Sequence, residues 1–301
     1  MSDTPAPTRT RTAGITGASG YLGGVIRAAL RAEGWRGIAL VRSPRPGDGD
    51  ALPFDLGEPV DPGLLAGVDV LVHCAYDLRA TSWDDISRVN VEGTRRLLDA
   101  ARAAGVGRSI VISSAAAYPG TVQLYGRAKL AIEDVASAHD AIVVRPGLVY
   151  GPDPGGMVGA LLRAVSLPVV PVLAGRSHIY TVHEDDLAEA IVKLASAADP
   201  PRGPLTVENP DAVPVRALLG ALAELRGSHP RFVPFPWRAV YWMIRGAEAA
   251  SLSLPFRADS LWGLAHPPPP PDTAPLAALG VAARPFSAAD LAPRHPVEKT
   301  T

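Results

Sequence analysis

Between residues 13 and 147 the chain alternates short apolar runs with longer stretches of mixed character, and no other feature narrows its fold as much. The runs are AGIT (13–16), GIALV (37–41), VDVLVHCA (68–75), RSIVISS (108–114) and AIVVRPG (141–147). Helical periodicity falls between them, over 22–33, over 84–104 and around Tyr125. Cores such as VLV and IVI show no polar alternation, which marks strands covered on both faces. Strands covered in this way are parallel, and parallel neighbours need a helical crossover. The chain is therefore predicted to be α/β, with a doubly wound parallel sheet.

The turn after the first strand suggests what such a sheet would hold. GITGASGYLGGVI spaces Gly17, Gly20 and Gly23 three apart, with Ser19, Tyr21 and Leu22 between them. Glycines there let the backbone turn sharply beneath a pyrophosphate, whose charge meets the free N–H groups and positive end of the first helix. This makes the sheet Rossmann-type and the ligand a dinucleotide. The second strand ends in ALVRSP, with Val41 where an NAD enzyme would place a carboxylate and Arg42 and Ser43 directly after it. A guanidinium suits a 2′-phosphate, which it can grip with two charge-assisted bonds, so the cofactor expected is NADP(H). Asp55 and Leu56 are placed to meet the adenine edge, although Asp55 serves equally well as a turn residue.

After about residue 150 the rhythm loosens and prolines multiply. Helices are predicted over 185–197 and 214–226, and Pro267–Pro271 reads as an extended spacer. The segment PFPWRAVYWMIRGAEAASLSLPF (234–256) is the most membrane-like, but Arg238, Arg245 and Glu248 would each be penalised by a few kcal/mol in hydrocarbon. It reads instead as an amphipathic helix with an aromatic face, either lining a pocket or buried in core. The expected division is a tail over 1–12, an NADP-binding core over 13–155 rejoined by about 178–210, and a small C-terminal substrate-binding region from 156–177 and 211–301.

Composition narrows the partners. A net charge of -1 over 301 residues leaves no footprint for nucleic acid or an anionic membrane, so neither is expected. The single cysteine, Cys74, rules out an internal disulfide framework and a Cys-based zinc cluster, and no metal is expected. With no apolar segment behind the polar N-terminal residues, a reducing, cytoplasmic setting is expected.

Eight pieces in order then resemble the short-chain dehydrogenase/reductase superfamily, in its extended or atypical branch that includes the NAD(P)-dependent epimerase/dehydratase family. They are TGASGYLG (16–23), ALVRS (39–43), DVLVHCA (69–75), NVEGTRRLLDAA (90–101), VISSAAAY (111–118), YGRAK (125–129), VVRPGLVYGP (143–152) and TVHEDDLAEAI (181–191). On a helix, Tyr125 and Lys129 share one face and can line one pocket. A free phenol has a pKa near ~10, and an ammonium held close would lower it at a differential interaction of roughly 3–4 kcal/mol. The phenol then acts as general acid or base toward a substrate oxygen while hydride passes to or from the nicotinamide.

The resemblance implies a third member, Ser114 rather than Ser113, bonding that oxygen, since Tyr118 follows it by four residues. It further implies cofactor contacts from Cys74, Ala75, Tyr76, Tyr125, Lys129, Pro146 and Val149, a structural role for His73, and an Asn90 that ties a helix to backbone. Arg176 stands near where relatives grip a diphosphate, in an altered stretch, and Asp185 and Asp186 read as helix-start residues. The activity implied is an NADPH-dependent carbonyl reductase for a hydrophobic small molecule. The alternatives are a nucleotide-sugar epimerase or dehydratase that keeps its NAD(P), and a non-catalytic NADP-binding sensor or assembly factor. Many relatives pair through the helices bearing Asn90 and Tyr125, which leaves a homodimer open.

Overall fold

The computed structural model describes residues 9–45, 49–173, 177–250, 258–265 and 268–292. The first half runs β1 (Thr12–Thr16), α1 (Tyr21–Ala32), β2 (Arg36–Val41), β3 (Ala51–Pro53), β4 (Val70–His73), α2 (Trp83–Ile86), α3 (Glu92–Ala103), β5 (Arg108–Ile112), α4 (Leu124–Ala138) and β6 (Ile142–Pro146). Then come β7 (Leu148–Tyr150), α5 (Gly156–Ala164), β8 (Val169–Leu173), β9 (His178–Ile179), β10 (Thr181–His183), α6 (Glu184–Ser196), β11 (Leu205–Val207), β12 (Val213–Pro214), α7 (Val215–Arg226), β13 (Arg231–Phe235), α8 (Trp237–Ala249), α9 (Ala258–Ala265) and α10 (Ala274–Ala278).

Seven parallel strands form the central sheet in the order β11-β6-β5-β4-β1-β2-β3. This is the Rossmann-type arrangement, and the strand order reverses between β1 and β4. The uniform apolarity of the runs follows from alternation across the sheet. Ile110 and Ile112 of β5 enter one core with Ile26 and Leu30 of α1 and Leu187 and Ile191 of α6. Val111, between them, enters the opposite core with Leu97 and Leu98 of α3 and Ile132 and Val135 of α4. Each such side chain contributes about 1.5–3 kcal/mol of burial, so both faces of every central strand select for Val, Ile and Leu.

Several elements depart from the sequence expectation. The helix expected over 84–104 is broken by a π turn at Ser87–Val91. The wider turn sets Asn90, fully buried, to accept from Asp77 N at 2.7 Å and donate to Asp77 O at 3.2 Å. Three-residue β3 and β11 are too short to show a period, and only their pairing with β2 and β6 makes them strands. β1 starts at Thr12, inside the expected tail, and the Arg11 guanidinium lies 4.2 Å over the Trp35 ring. Pro268–Pro271 form no regular element, while Pro267 lies outside the described residues.

A second core gathers Tyr150, Val158, Val170, Val172, Leu218 and Leu222 beneath the C-terminal elements. Asp186 of α6 ties the C-terminal segment to the sheet layer, receiving Arg284 Nε at 2.8 Å and its backbone N–H at 2.8 Å. Beyond this, α8 and α9 hold a small cluster of Val240, Ile244 and Ala258.

Candidate active site

The turn between β1 and α1 is compact because two glycines lack a Cβ. Gly17 sits at φ +66°, and a Cβ there would meet Ala75 N at 3.0 Å. A Cβ on Gly23 would fall 2.4 Å from Gly17 O, so any larger residue would push α1 off the turn. Gly20 caps α1 without a side chain and the first turn carries no acid, which leaves the positive end of the helix uncompensated. That end faces the crevice at the carboxyl ends of β1 and β4, where the strand order reverses.

A cleft of about 250 Å³ opens there and brings together Gly17, Ser19, Gly20, Arg42, Asp55, Leu56, Cys74, Ala75 and Tyr76 from the expected cofactor set. Leu40, Val41, Phe54, Asp77, Arg79 and Val89 also line it, and sequence reasoning did not select them as contacts. The position of Asp77 and Arg79 just past the β4 run was the available signal. Tyr21, Leu22, Gly23, Ser43, Tyr125, Lys129, Pro146 and Val149 do not line this cleft. Tyr21 turns instead to a groove between α1 and α6. Asp55 has the turn role, its carboxylate accepting from Gly57 N at 2.9 Å.

The cleft mouth carries two arginines and two aspartates. Arg79 bonds Asp77 at 2.7 Å, and this contact, aided by the Arg42 charge, holds the Asp77 carboxyl down to about 2. An anion arriving at Arg42 would therefore meet a cation whose neighbouring carboxylate is already engaged. The glycine turn, bare helix end and cationic rim together fit a dinucleotide phosphate.

Beneath the cleft floor a buried chain of hydrogen bonds fixes β1, β4 and the π turn. Thr16 Oγ1 accepts from Cys74 N and Ala75 N, both at 3.1 Å, which ends β4 at His73. Its own proton goes to His73 Nδ1 at 2.7 Å. The imidazole proton therefore sits on Nε2 and is donated to Thr94 Oγ1 at 2.9 Å, which donates to Asn90 O at 2.7 Å. Burial, with the Lys129 charge, pushes His73 down to about 3, so the ring is neutral and structural. Burial likewise pushes the Cys74 thiol up to about 12.

The two serines after β5 have different partners. Ser113 Oγ donates to the Glu133 carboxylate, which Arg145 also grips with Nε at 2.8 Å and Nη2 at 2.5 Å. Ser114 Oγ accepts from Ala116 N at 3.2 Å and hydrogen-bonds the Tyr125 phenol. Gly126 permits this meeting, since a Cβ there would lie 2.4 Å from Ala116 O and lift α4 away from the serine loop. The Tyr125 ring stands edge-on to cleft-lining Tyr76, with centroids 5.2 Å apart. Pro146 ends β6, the next strand over, its carbonyl accepting from Ala115 N at 3.0 Å, while Val149 lies half-buried on β7.

Lys129 shares the face of α4 with Tyr125, as the spacing predicts, but it bonds backbone. Its ammonium donates to Ile112 O at 2.8 Å and lies 4.8 Å from the Tyr76 ring centre but 5.8 Å from that of Tyr125. Burial raises the Tyr125 pKa, with the Ser114 bond opposing, and lowers Lys129 to about 8. The aromatic segment also differs from both expected roles. Trp237, Tyr241 and Trp262 pack edge to face among themselves, while Trp242 and Met243 are 70% and 65% exposed. Arg176 lies outside the described residues. Among those described, no group of three or more His, Cys, Asp or Glu is placed to hold a metal.

Comparison with known proteins agrees with this geometry. Residues 13–206 match the NAD dependent epimerase/dehydratase family. The chain is 32% identical over 278 residues to the ceramide reductase of Caulobacter vibrioides, covering 87% of each protein. It is 28% identical over 259 residues to the 4-hydroxy-2-methyl-3-oxo-4-farnesyl-3,4-dihydroquinoline-1-oxide ketoreductase of Stigmatella aurantiaca, across 75% of this chain and 76% of that one. Among solved structures it resembles MoeE5 in complex with UDP-glucose and NAD, with TM-score 0.68 and 25% identity over 93% of this chain and 95% of that one.

Proposed function

The chain belongs to the NAD-dependent epimerase/dehydratase family and is an NAD(P)-dependent oxidoreductase, and from this premise we propose that it is an NADPH-dependent reductase of a carbonyl group carried on a hydrophobic, lipid-like molecule. The observation that carries the reading is the meeting of Ser114 and Tyr125 at the end of β5, with the Tyr125 ring against a wall of the dinucleotide cleft. The apolar substrate class is supported by the names of two relatives, one a ceramide reductase and the other acting on a farnesylated quinoline oxide.

Gly17, Ser19 and Gly20 would hold the pyrophosphate, Arg42 the 2′-phosphate, and Cys74, Ala75 and Tyr76 the ribose side, with Pro146 and Val149 flanking the nicotinamide. When bound, the reduced nicotinamide supplies hydride to the carbonyl carbon. Tyr125 gives its proton to the carbonyl oxygen, which leaves as the alcohol, and Ser114 holds that oxygen by a hydrogen bond. A raised pKa suits this direction, because the phenol stays protonated until the oxygen gains charge. The Lys129 ammonium, 5.8 Å from the centre of the Tyr125 ring, would favour the phenolate left behind.

Tyr125→Phe should lower kcat by about 10²–10⁴ while leaving NADPH binding intact, measured by single-turnover kinetics and fluorescence titration. Retained turnover would remove Tyr125 as the acid, and a tenfold preference for NADH would remove the role of Arg42. The likeness to MoeE5 favours a second reading, a nucleotide-sugar epimerase or dehydratase. Turnover of a UDP-sugar with no net oxidation of the cofactor would select it.

A further inference from the structure

Among the described residues seven large apolar side chains are exposed, and five of them, Leu167, Val169, Val233, Trp242 and Met243, lie on or directly before β8, β13 and α8. Parallel pairing of β8 with β13 turns Val170 and Val172 into the second core and leaves Val169, Pro171, Arg231 and Val233 outward. The chain then passes through Pro236 into α8. There Val240 and Ile244 face inward, while Ala239, Trp242, Met243 and Gly246 form an exposed apolar strip at i, i+3, i+4 and i+7. Arg238 and Arg245 fall on one margin of that strip, both exposed. The acid of this helix, Glu248, accepts from Ala258 N at 3.0 Å and lies 3.8 Å from Arg245, offsetting part of the charge on that margin.

An exposed tryptophan and methionine bordered by arginines is the pattern of a helix lying in a bilayer interface, with rings at headgroup depth and guanidinium groups among phosphates. From this we infer that α8, with the outward face of the β8–β13 ribbon, docks on an anionic phospholipid surface. The net charge of -1 argued against a membrane only as an average, because at this margin Arg238 and Arg245 outnumber Glu248, which pairs with Arg245. The contact is interfacial and not spanning: no described helix is long and apolar enough to cross a membrane. It goes beyond the reductase reading, and its test needs no turnover.

The full chain is floated with vesicles of equal parts phosphatidylcholine and phosphatidylglycerol, and with vesicles of phosphatidylcholine alone. The expected result is co-flotation with the anionic vesicles, weakened by salt, and a blue shift of tryptophan emission. Trp242→Ser with Met243→Ser should lower the partition coefficient at least about tenfold, and Arg238→Gln with Arg245→Gln should lower it about twentyfold on anionic vesicles only. Both variants should keep the wild-type circular dichroism spectrum and turnover of a short, water-soluble ketone. Absence of vesicle binding, or equal binding by the variants, overturns the inference. So does a concentration-dependent dimer that the Trp242 and Met243 changes dissolve, which would assign the face to a second copy of the chain. Vesicle binding without any carbonyl reduction would sink the reductase reading and leave this one standing.

Discussion

Around the ends of β1, β4 and β5 most buried polar groups answer one another, with Thr121 Oγ1 on the loop after β5 as an exception. His73 is held between two threonines, Asn90 by both atoms of one backbone residue, and Glu133 by Ser113 and a forked Arg145. Around the C-terminal strands they do not. The Glu208 carboxyl, just past β11, is buried yet its Oε2 makes no hydrogen bond among the described residues, and the same holds for Thr181 Oγ1 on β10. Farther out, Trp242 and Met243 remain uncovered. The first region is largely completed by its own residues, so damage there should appear as lost stability. The second is incomplete by itself, so change there should appear in pH response or in what the protein touches.

The largest test of this contrast is Glu133→Ala. It strands a partly buried guanidinium and the buried Ser113 hydroxyl, and urea unfolding should show a loss of about 2–4 kcal/mol. A loss under about 1 kcal/mol would break the contrast at its strong end.

Glu208→Gln probes the other side. Burial raises the Glu208 pKa to about 7, above its ordinary value near 4.5. The folded state then holds a proton that the unfolded state releases, so stability is full below the ordinary carboxylate range and falls as pH rises through about 7. The variant should remove that fall and be more stable at basic pH by up to about 3 kcal/mol, with no gain in acid. Unfolding curves that track the wild type at every pH would place the carboxylate in contact with water.

The smallest expected effect is the most discriminating. Trp242→Ser with Met243→Ser should shift unfolding free energy by less than about 0.5 kcal/mol, because neither side chain is buried. A loss above about 1 kcal/mol in the monomer would mean that the face packs against something in this chain.

Much of the nucleotide side is legible in the sequence alone. Runs such as VLV and IVI signalled strands buried twice, and Gly17 and Gly23 stand where a Cβ would collide with backbone. The pairing of Tyr125 with a serine after β5 was also foreseeable from family order, although the direction of the Tyr125 pKa shift was not. Spacing put Lys129 on the same helix face as Tyr125, yet it could not tell that the ammonium would bind Ile112 O, on a strand 17 residues earlier. Position just past the β4 run was the one local hint that Asp77 and Arg79 are cleft walls, since a cleft wall is otherwise defined by what lies opposite it.

Sequence by itself determined the α/β alternation, the glycine turn and the bare helix end behind it, because backbone freedom and hydrophobic period act within a few residues. Tertiary structure decided the π turn that aims Asn90, the strand status of β3 and β11, the protonation of Tyr125 and Glu208, and the exposure of Trp242. Each of these depends on burial or on a partner distant in the chain, and neither is encoded in the residues next door.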